Sequence, residues 1–149
     1  MTTKRTSTAP DAPAIAARLR LSATRLARQL RRESNTGLSP SQLSALACIS
    51  RNGPLTLGAL AEHERIAPPS ITKVVAILEA AGLVERRLDD HDRRVAWVST
   101  TTAGNVRISG IRQRRTEWLT ARVAELDDDQ RRRLADALDA LDGLTADSP

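Results

Sequence analysis

One segment of the chain combines small polar and basic side chains at the start of an amphipathic helix. Ser70, Thr72 and Lys73 follow two prolines there, opposite the apolar residues of the same helix. Hydroxyl and ammonium groups can bond base edges or phosphates, and small residues let a helix approach the floor of a major groove about 12 Å wide. Backbone N–H groups at a helix start add capacity for phosphate. This is the chemistry of a DNA contact, although many ordinary surface helices have the same composition.

A second segment downstream has two strand-like runs joined by a charged tip. The runs cover 83–88 and 94–98, and the tip contains Asp92, Arg93 and Arg94. Arginine suits a narrow minor groove, where the negative potential of DNA is concentrated. Asp92 repels phosphate, so we expect its carboxylate to hold an arginine or the turn backbone in place. A salt-bridged hairpin tip without this function would look the same, and only both segments together indicate nucleic-acid binding.

Groups typical of catalysis and metal binding form no recognisable set in this sequence. His63 and His91 lie in polar surroundings, and neither has a metal-ligand spacing with Cys48. The seven glycines form no phosphate-binding loop, and the acidic run 127–129 is typical of a helix start. We therefore predict a protein that is not an enzyme and needs no cofactor and no metal. Cys48, the one cysteine, lies among apolar residues and is expected to be a buried, inert thiol.

The composition favours an aliphatic helical core and a polyanionic partner. Of the 149 residues 40% are hydrophobic, yet the aromatic residues are only two tryptophans. The net charge is +5, and most of the excess lies in residues 1–34, which contain eight basic and two acidic side chains. No run of about 18 apolar residues and no secretory leader are visible, so we expect no membrane partner. A single cysteine fits a reducing compartment, and we predict a cytoplasmic protein.

Hydrophobic periodicity and helix caps predict six helices, with one β-hairpin between the fourth and the fifth. The first ten residues have no apolar period and are expected to be a disordered tail. Gly37 is expected to end the first helix in a left-handed conformation. The expected helices are 12–34, 40 to the Gly53-Pro54 stop, a short helix capped by Thr56, 68–81, a long helix capped by Thr101, and a last helix from Asp127 to Leu144. Core positions of the fourth helix are expected to be Ile71, Val74, Val75 and Leu78.

The first, fifth and sixth helices make up more than two fifths of the chain, and each has apolar residues on one side. The short helices between them form too small a core to cover all three apolar stripes. A second copy of the chain would cover them across a two-fold axis. We therefore predict a homodimer.

The stretch from Leu55 to Gly104 resembles the MarR family of bacterial transcription regulators. The similarity lies in the sequences LTLGALAEH, PPSITKVVAILEAAGLVERR and DDHDRRVAWVSTTTAG, the last of which contains the family's Asp-x-Arg pattern. The resemblance implies a mainly α fold with a small β-hairpin, in which a winged helix-turn-helix is flanked by long dimerisation helices. In this sequence the winged-helix part would cover 38–100, and the dimerisation helices 11–37 and 101–145.

The same resemblance implies a homodimeric transcription regulator, more a repressor than an activator, that binds pseudo-palindromic double-stranded DNA. A recognition helix would enter the major groove and a wing the minor groove. A small-molecule effector would release the DNA. The alternative is a winged-helix module that binds another protein and not DNA. Predicted DNA-binding residues are Pro69, Ser70, Thr72, Lys73, Asp92, Arg93 and Arg94, and predicted effector-binding residues are Leu19, Leu46, Arg115 and Trp118.

Overall fold

The computed structural model describes residues 11–145, which form six helices and three short strands. The tail predicted for residues 1–10 lies outside the described part. Within residues 11–145, no helix has both the length and the apolar character needed to cross a lipid bilayer. In chain order the elements are α1 (Ala12–Ser34), α2 (Pro40–Asn52), β1 (Leu55–Thr56), α3 (Leu57–Glu64), α4 (Pro68–Ala80), β2 (Val84–Leu88), β3 (Ala96–Thr100), α5 (Thr102–Ala124) and α6 (Asp128–Thr145).

The chain divides into two compact units after Asn35, and the first of them consists of α1. This helix has the predicted bounds. Gly37 is left-handed as predicted, with φ of 65°, but the residue that caps the helix is Asn35, with φ of 31°. The Asn35 N–H closes the last turn by donating to the carbonyl of Arg32. Asparagine tolerates this conformation better than most residues. Three apolar side chains of α1 remain 44–48% exposed, namely Ile15, Leu21 and Leu26.

The second unit has an aliphatic core between α2, α3, α4 and the sheet. In α4 the predicted inward positions Ile71, Val75 and Leu78 are fully buried, and Val74 packs at the edge of the core. Burying one such side chain contributes about 1.5–3 kcal/mol, so these positions hold α4 firmly against α2 and α3. Other large buried side chains of this core are Leu46, Ile49, Leu60, Leu83, Val84, Val98 and, from α5, Ile108.

The starts of α2, α3 and α6 are capped as predicted, whereas α4 has no side-chain cap. The Ser39 side chain accepts from the Gln42 N–H, and the Gln42 side chain accepts from the Ser39 N–H. Asp127 and Gln130 form the same reciprocal pair before α6. Thr56 accepts from the third N–H of α3. Each cap satisfies backbone donors that a helix start otherwise leaves unpaired.

The sheet has one strand more than predicted. Its order is β1-β3-β2, and both pairs are antiparallel. β1 has two residues, and Leu55 and Thr56 pair with Val98 and Trp97 of the central strand. β3 also begins later than expected, at Ala96, because the Val95 N–H donates to the Asp92 carbonyl and extends the turn.

The first turn of α5 is bonded directly to the connection between α4 and β2, residues 81–83. The Thr101 hydroxyl donates to the Gly82 carbonyl at 2.7 Å, and the Thr101 N–H donates to the Leu83 carbonyl at 3.1 Å. The same hydroxyl oxygen accepts from the Gly104 N–H at 3.0 Å and caps α5. A Cβ atom at Gly104 would lie 2.0 Å from the Leu83 carbonyl oxygen. This contact therefore requires glycine.

Thr101→Val is expected to lower the free energy of unfolding by about 1–2 kcal/mol, because it removes both hydrogen bonds of the hydroxyl group at nearly constant volume. Thr101→Ser is the matched control, since it keeps the hydroxyl. Urea unfolding followed by circular dichroism would measure both variants. Equal stability of the valine and serine variants would show that the cap contributes nothing.

Candidate nucleic-acid interface

The exposed face at the start of α4 contains the four residues predicted for the major groove. Pro69, Ser70, Thr72 and Lys73 are all exposed, while the opposite face of the helix is buried. The expectation of free backbone N–H groups at this helix start is wrong. Two prolines at the first positions carry no N–H, and the next two N–H groups, of Ser70 and Ile71, donate to the Ala67 carbonyl. This face therefore offers a ligand side-chain groups and not backbone N–H groups.

The side chains of this face differ in what they can still donate. The Thr72 hydroxyl donates to the Pro68 carbonyl at 2.9 Å, so its proton is in use and its oxygen can only accept. Within residues 11–145, the side chains of Ser70 and Lys73 have no hydrogen-bond or ion-pair partner. Ser70 and Lys73 are thus the donors that α4 presents to a ligand.

The wing is the hairpin of β2 and β3, and its tip is residues 89–95. Asp92 holds the turn backbone there, since its Oδ1 accepts from the Arg94 N–H at 3.0 Å. This outcome selects one of the two roles that the sequence left open for Asp92. The side chains of Arg93 and Arg94 are exposed, and neither forms an ion pair with a residue in the described range. Both guanidinium groups are free to meet an anionic surface.

A further carboxylate, that of Asp89, organises this tip. This role was not predicted from the sequence. Its Oδ1 accepts from the N–H groups of His91 and Asp92, at 2.9 and 3.0 Å. Its Oδ2 accepts from Nε1 of Trp97 at 2.9 Å. These bonds stabilise the charged carboxylate and therefore lower the pKa of Asp89 below its ordinary value. The bond from Trp97 has the largest effect, and the two backbone N–H groups add to it. The bond from the aspartate side chain to the backbone two residues later is a common turn motif that the sequence could have indicated. The contact with Trp97 could not be predicted in this way, because it depends on how the two strands pair.

The exposed face of α4 and the wing are joined closely. Three residues separate α4 from β2, and Arg86 on β2 pairs with Glu79 near the end of α4 at 3.1 Å. The pair is partly exposed, and such pairs contribute less than about 1 kcal/mol. The contact shows that the wing strand lies beside the end of α4.

The residues predicted for an effector pocket have different surroundings. Leu46 is fully buried in the core, so a ligand would reach it only if the core opened. Arg115 and Trp118 of α5 are half-buried, and the Arg122 guanidinium lies 5.4 Å from the Trp118 ring centroid. Leu19 is half-buried on α1, in the other unit. The pocket stays a prediction.

Cys48 is expected to react slowly with an aromatic disulfide reagent in the native protein. Its side chain is buried, and burial raises the pKa of the thiol, so little of the reactive thiolate is present near neutral pH. Nδ2 of Asn52 lies 3.4 Å from the sulfur. Absorbance of the released thiolate would measure the rate, with denatured protein as the control for full reactivity. A native rate equal to the denatured rate would contradict the burial.

Within residues 11–145 no three His, Cys, Asp or Glu side chains come together in a way that could hold a metal ion. The geometry instead combines a helix face of small polar residues with an arginine-bearing wing beside it. This architecture defines the class of the protein as a DNA-binding winged helix.

Comparison with known proteins gives the family. A family model described as MarR family matches residues 38–96. An uncharacterised HTH-type transcriptional regulator of Mycobacterium leprae is 41% identical over 136 residues, which cover 91% of this chain and 95% of the relative. The chain belongs to the MarR family of transcription regulators, and neither its fold nor its relatives are those of an enzyme.

Solved structures agree with this fold. A candidate transcriptional regulator of Pseudomonas aeruginosa has a TM-score of 0.83 and 33% identity, and the match covers 95% of this chain and 100% of that protein. A single-residue mutant of MepR from S. aureus, solved bound to an oligodeoxyribonucleotide, has a TM-score of 0.68 and 18% identity, with 88% of this chain and 98% of that protein covered. At this identity, the similarity to MepR shows a shared fold.

Proposed function

We propose that the protein is a homodimeric repressor that reads a pseudo-palindromic operator, with α4 in the major groove and the wing in the minor groove of each half-site. The observation that carries this proposal is that the donors of α4 and the arginines of the wing tip lie on directly successive elements. Arg86 and Glu79 link these elements a second time. A protein of the same fold has been solved bound to an oligodeoxyribonucleotide, which supports DNA as the ligand of this surface.

The chemistry of each side chain supports a particular role. Lys73 would bond a phosphate or a guanine, and the Ser70 hydroxyl would donate to a base edge or a phosphate. Thr72 would accept, and Pro69 would make apolar contact, for instance with a thymine methyl group. At the wing, Arg94 would enter the minor groove with Arg93 beside it. Asp92 would act through the turn backbone and not through the DNA.

The homodimer is supported by apolar side chains that one copy leaves uncovered. Helix α6 has no buried residue in the described chain, and Leu134 and Leu138 are 39% and 50% exposed. Helix α1 likewise exposes three large apolar side chains. Exposed apolar surface on long helices is typical of an interface, and a second copy is the occupant we propose. Sedimentation velocity at micromolar concentration should give a dimer, and a folded monomer would contradict it.

Repression would follow from the occupation of the operator by the dimer. Two α4 helices about 34 Å apart fit successive major grooves on one face of the duplex, and a bound dimer would exclude polymerase from an overlapping promoter. A small-molecule effector would act by favouring a dimer geometry with another spacing. Because a bacterial chromosome lies in the cytoplasm, that is the compartment in which we expect the protein to act.

Selection of bound fragments from random duplex DNA tests this proposal. We expect an enriched inverted repeat whose half-sites lie about 10 base pairs apart, centre to centre. Affinity for the selected sequence should fall steeply with salt, because counterions are released from each phosphate contact. Failure to enrich any sequence, together with no salt-dependent duplex binding, would contradict the proposal and favour a protein-binding winged-helix module.

A further inference from the structure

The wing contains one tryptophan, Trp97, whose indole lies near the surface of the sheet. It belongs to the central strand β3, between Thr56 of β1 and Arg87 of β2. The residue is 39% exposed, so it is not part of the core. Its Nε1 donates to Oδ2 of Asp89, at the first residue of the wing tip. This bond connects the central strand to the tip.

The hydrogen bonds continue from Asp89 through the rest of the tip. Its Oδ1 accepts from two successive parts of the turn, the N–H groups of His91 and Asp92. Its own N–H donates to the Val95 carbonyl at 2.9 Å, across the mouth of the turn. Asp92 then accepts from the Arg94 N–H. A continuous path of hydrogen bonds therefore leads from the Trp97 indole to the backbone of Arg94.

This path matters because the tip has no apolar side chain in the core to anchor it. Every residue from Asp90 to Arg94 is exposed, and none contributes an apolar side chain to the core. Ordering such a segment costs conformational entropy. A segment that is already ordered before binding does not incur that cost when it meets its ligand.

We propose that Trp97 is a positioning residue for DNA binding. Its N–H holds Asp89, Asp89 holds the turn, and the turn presents Arg93 and Arg94 in the conformation that the minor groove receives. Trp97 makes no contact with DNA in this arrangement. The inference rests on the proposed function, since it needs the wing arginines to bind DNA.

Trp97→Phe is a clean test because phenylalanine keeps an aromatic ring on the strand and removes the N–H donor, which is the only polar group of indole. We expect about three- to tenfold weaker binding to the selected operator, the usual effect of one hydrogen bond. Ser99→Ala is the matched control, because it removes a side-chain hydrogen bond of the same wing, to Glu85, that does not reach the tip; it should bind like the original protein. Fluorescence anisotropy with labelled duplex would measure all variants.

The decisive comparison repeats Trp97→Phe in a protein that also has Arg93→Ala and Arg94→Ala. If Trp97 acts through the arginines, its removal should have no further effect there, within about twofold. An equal loss in both backgrounds would overturn the proposal, because Trp97 would then act through the fold or through its own contact. No loss in the original background would overturn it as well. Thermal unfolding of each variant would show whether the fold is intact.

The same set of variants separates this inference from the proposed function. If the arginine-free protein binds weakly and Trp97→Phe binds normally, the wing contact stands and only the positioning role fails. If the arginine-free protein binds like the original, the minor-groove contact fails, and with it the positioning role. Absence of any specific duplex binding by the original protein would reject the function itself.

A measurement without DNA tests the hydrogen bond directly. Hydrogen exchange of the Trp97 indole proton, assigned by its absence in Trp97→Phe, should become several-fold faster in Asp89→Asn. The asparagine keeps an oxygen for the turn N–H groups, but it cannot supply two carboxylate oxygens to both the turn and the indole. Exchange at Trp118 is the internal control. An unchanged rate at Trp97 would overturn the proposal.

Discussion

Gly104→Ala is expected to lower the free energy of unfolding by about 3 kcal/mol or more, because the added methyl group has no room. Its Cβ would lie 2.0 Å from the carbonyl oxygen and 3.0 Å from the carbonyl carbon of Leu83. Both atoms belong to backbone that connects a buried helix to the sheet, so neither can move aside without breaking the Thr101 hydrogen bonds. Denaturant unfolding followed by circular dichroism would measure the loss.

Gly110→Ala, in the same helix, is the matched control for this prediction. A Cβ there would lie 3.6 Å from Nη1 of Arg114, an ordinary contact with a flexible side chain. In a helix interior alanine is favoured over glycine by about 1 kcal/mol, so this variant should be more stable than the original protein. The two substitutions are thus expected to have opposite signs. If Gly104→Ala were also stabilising, the close approach of α5 to Leu83 would be wrong.

Arg94→Ala is expected to weaken operator binding by about 1–3 kcal/mol, the range of a good groove contact. The guanidinium has no partner in the described chain that would compete with DNA for it, and the N–H of the same residue is held by Asp92. Removing one cation from each subunit of the proposed dimer should also reduce the steepness of the salt dependence by about 1.8 in the log–log plot, if each of the two neutralises one phosphate. Anisotropy titrations at several salt concentrations would measure both quantities.

Arg112→Ala is the control for the loss of one positive charge. Arg112 is an exposed arginine on α5, outside both predicted DNA-binding segments. It should change affinity far less than Arg94→Ala at the same ionic strength, since screened charges at a distance contribute little. If Arg94→Ala bound the operator like the original protein, Arg94 would not belong to the interface.

The helices and their buried faces could be predicted from the sequence because the signals are local. The bounds of α1 agree with the prediction, and the caps at Ser39, Thr56 and Thr101 are formed by the expected side chains. Such signals depend on side chains three or four residues apart. The positions of the residues predicted to meet DNA followed from the same periodicity, because it determines which side of α4 is buried.

The features that were missed depend on contacts between distant parts of the chain. β1 has two residues, too few for a periodicity, and it exists because Leu55 and Thr56 meet β3. The bond between Trp97 and Asp89 likewise requires the hairpin register, and the assignment of Arg94 to a strand failed because Asp92 extends the turn. The absence of N–H groups at the first two positions of α4 could have been anticipated, since both are prolines.

The attachment of α5 to residues 81–83 has a consequence for regulation. Thr101 is hydrogen-bonded to the connection through which α4 continues into the wing, and Gly104 packs closely against it. A displacement of α5 would therefore carry with it both of the elements that we propose to contact DNA. The angle between them within one half-site would then stay constant. In a homodimer, an effector that shifts α5 would alter the preferred number of base pairs between half-sites and leave the preferred half-site sequence unchanged. Operators that differ only in this spacer length would distinguish the two states.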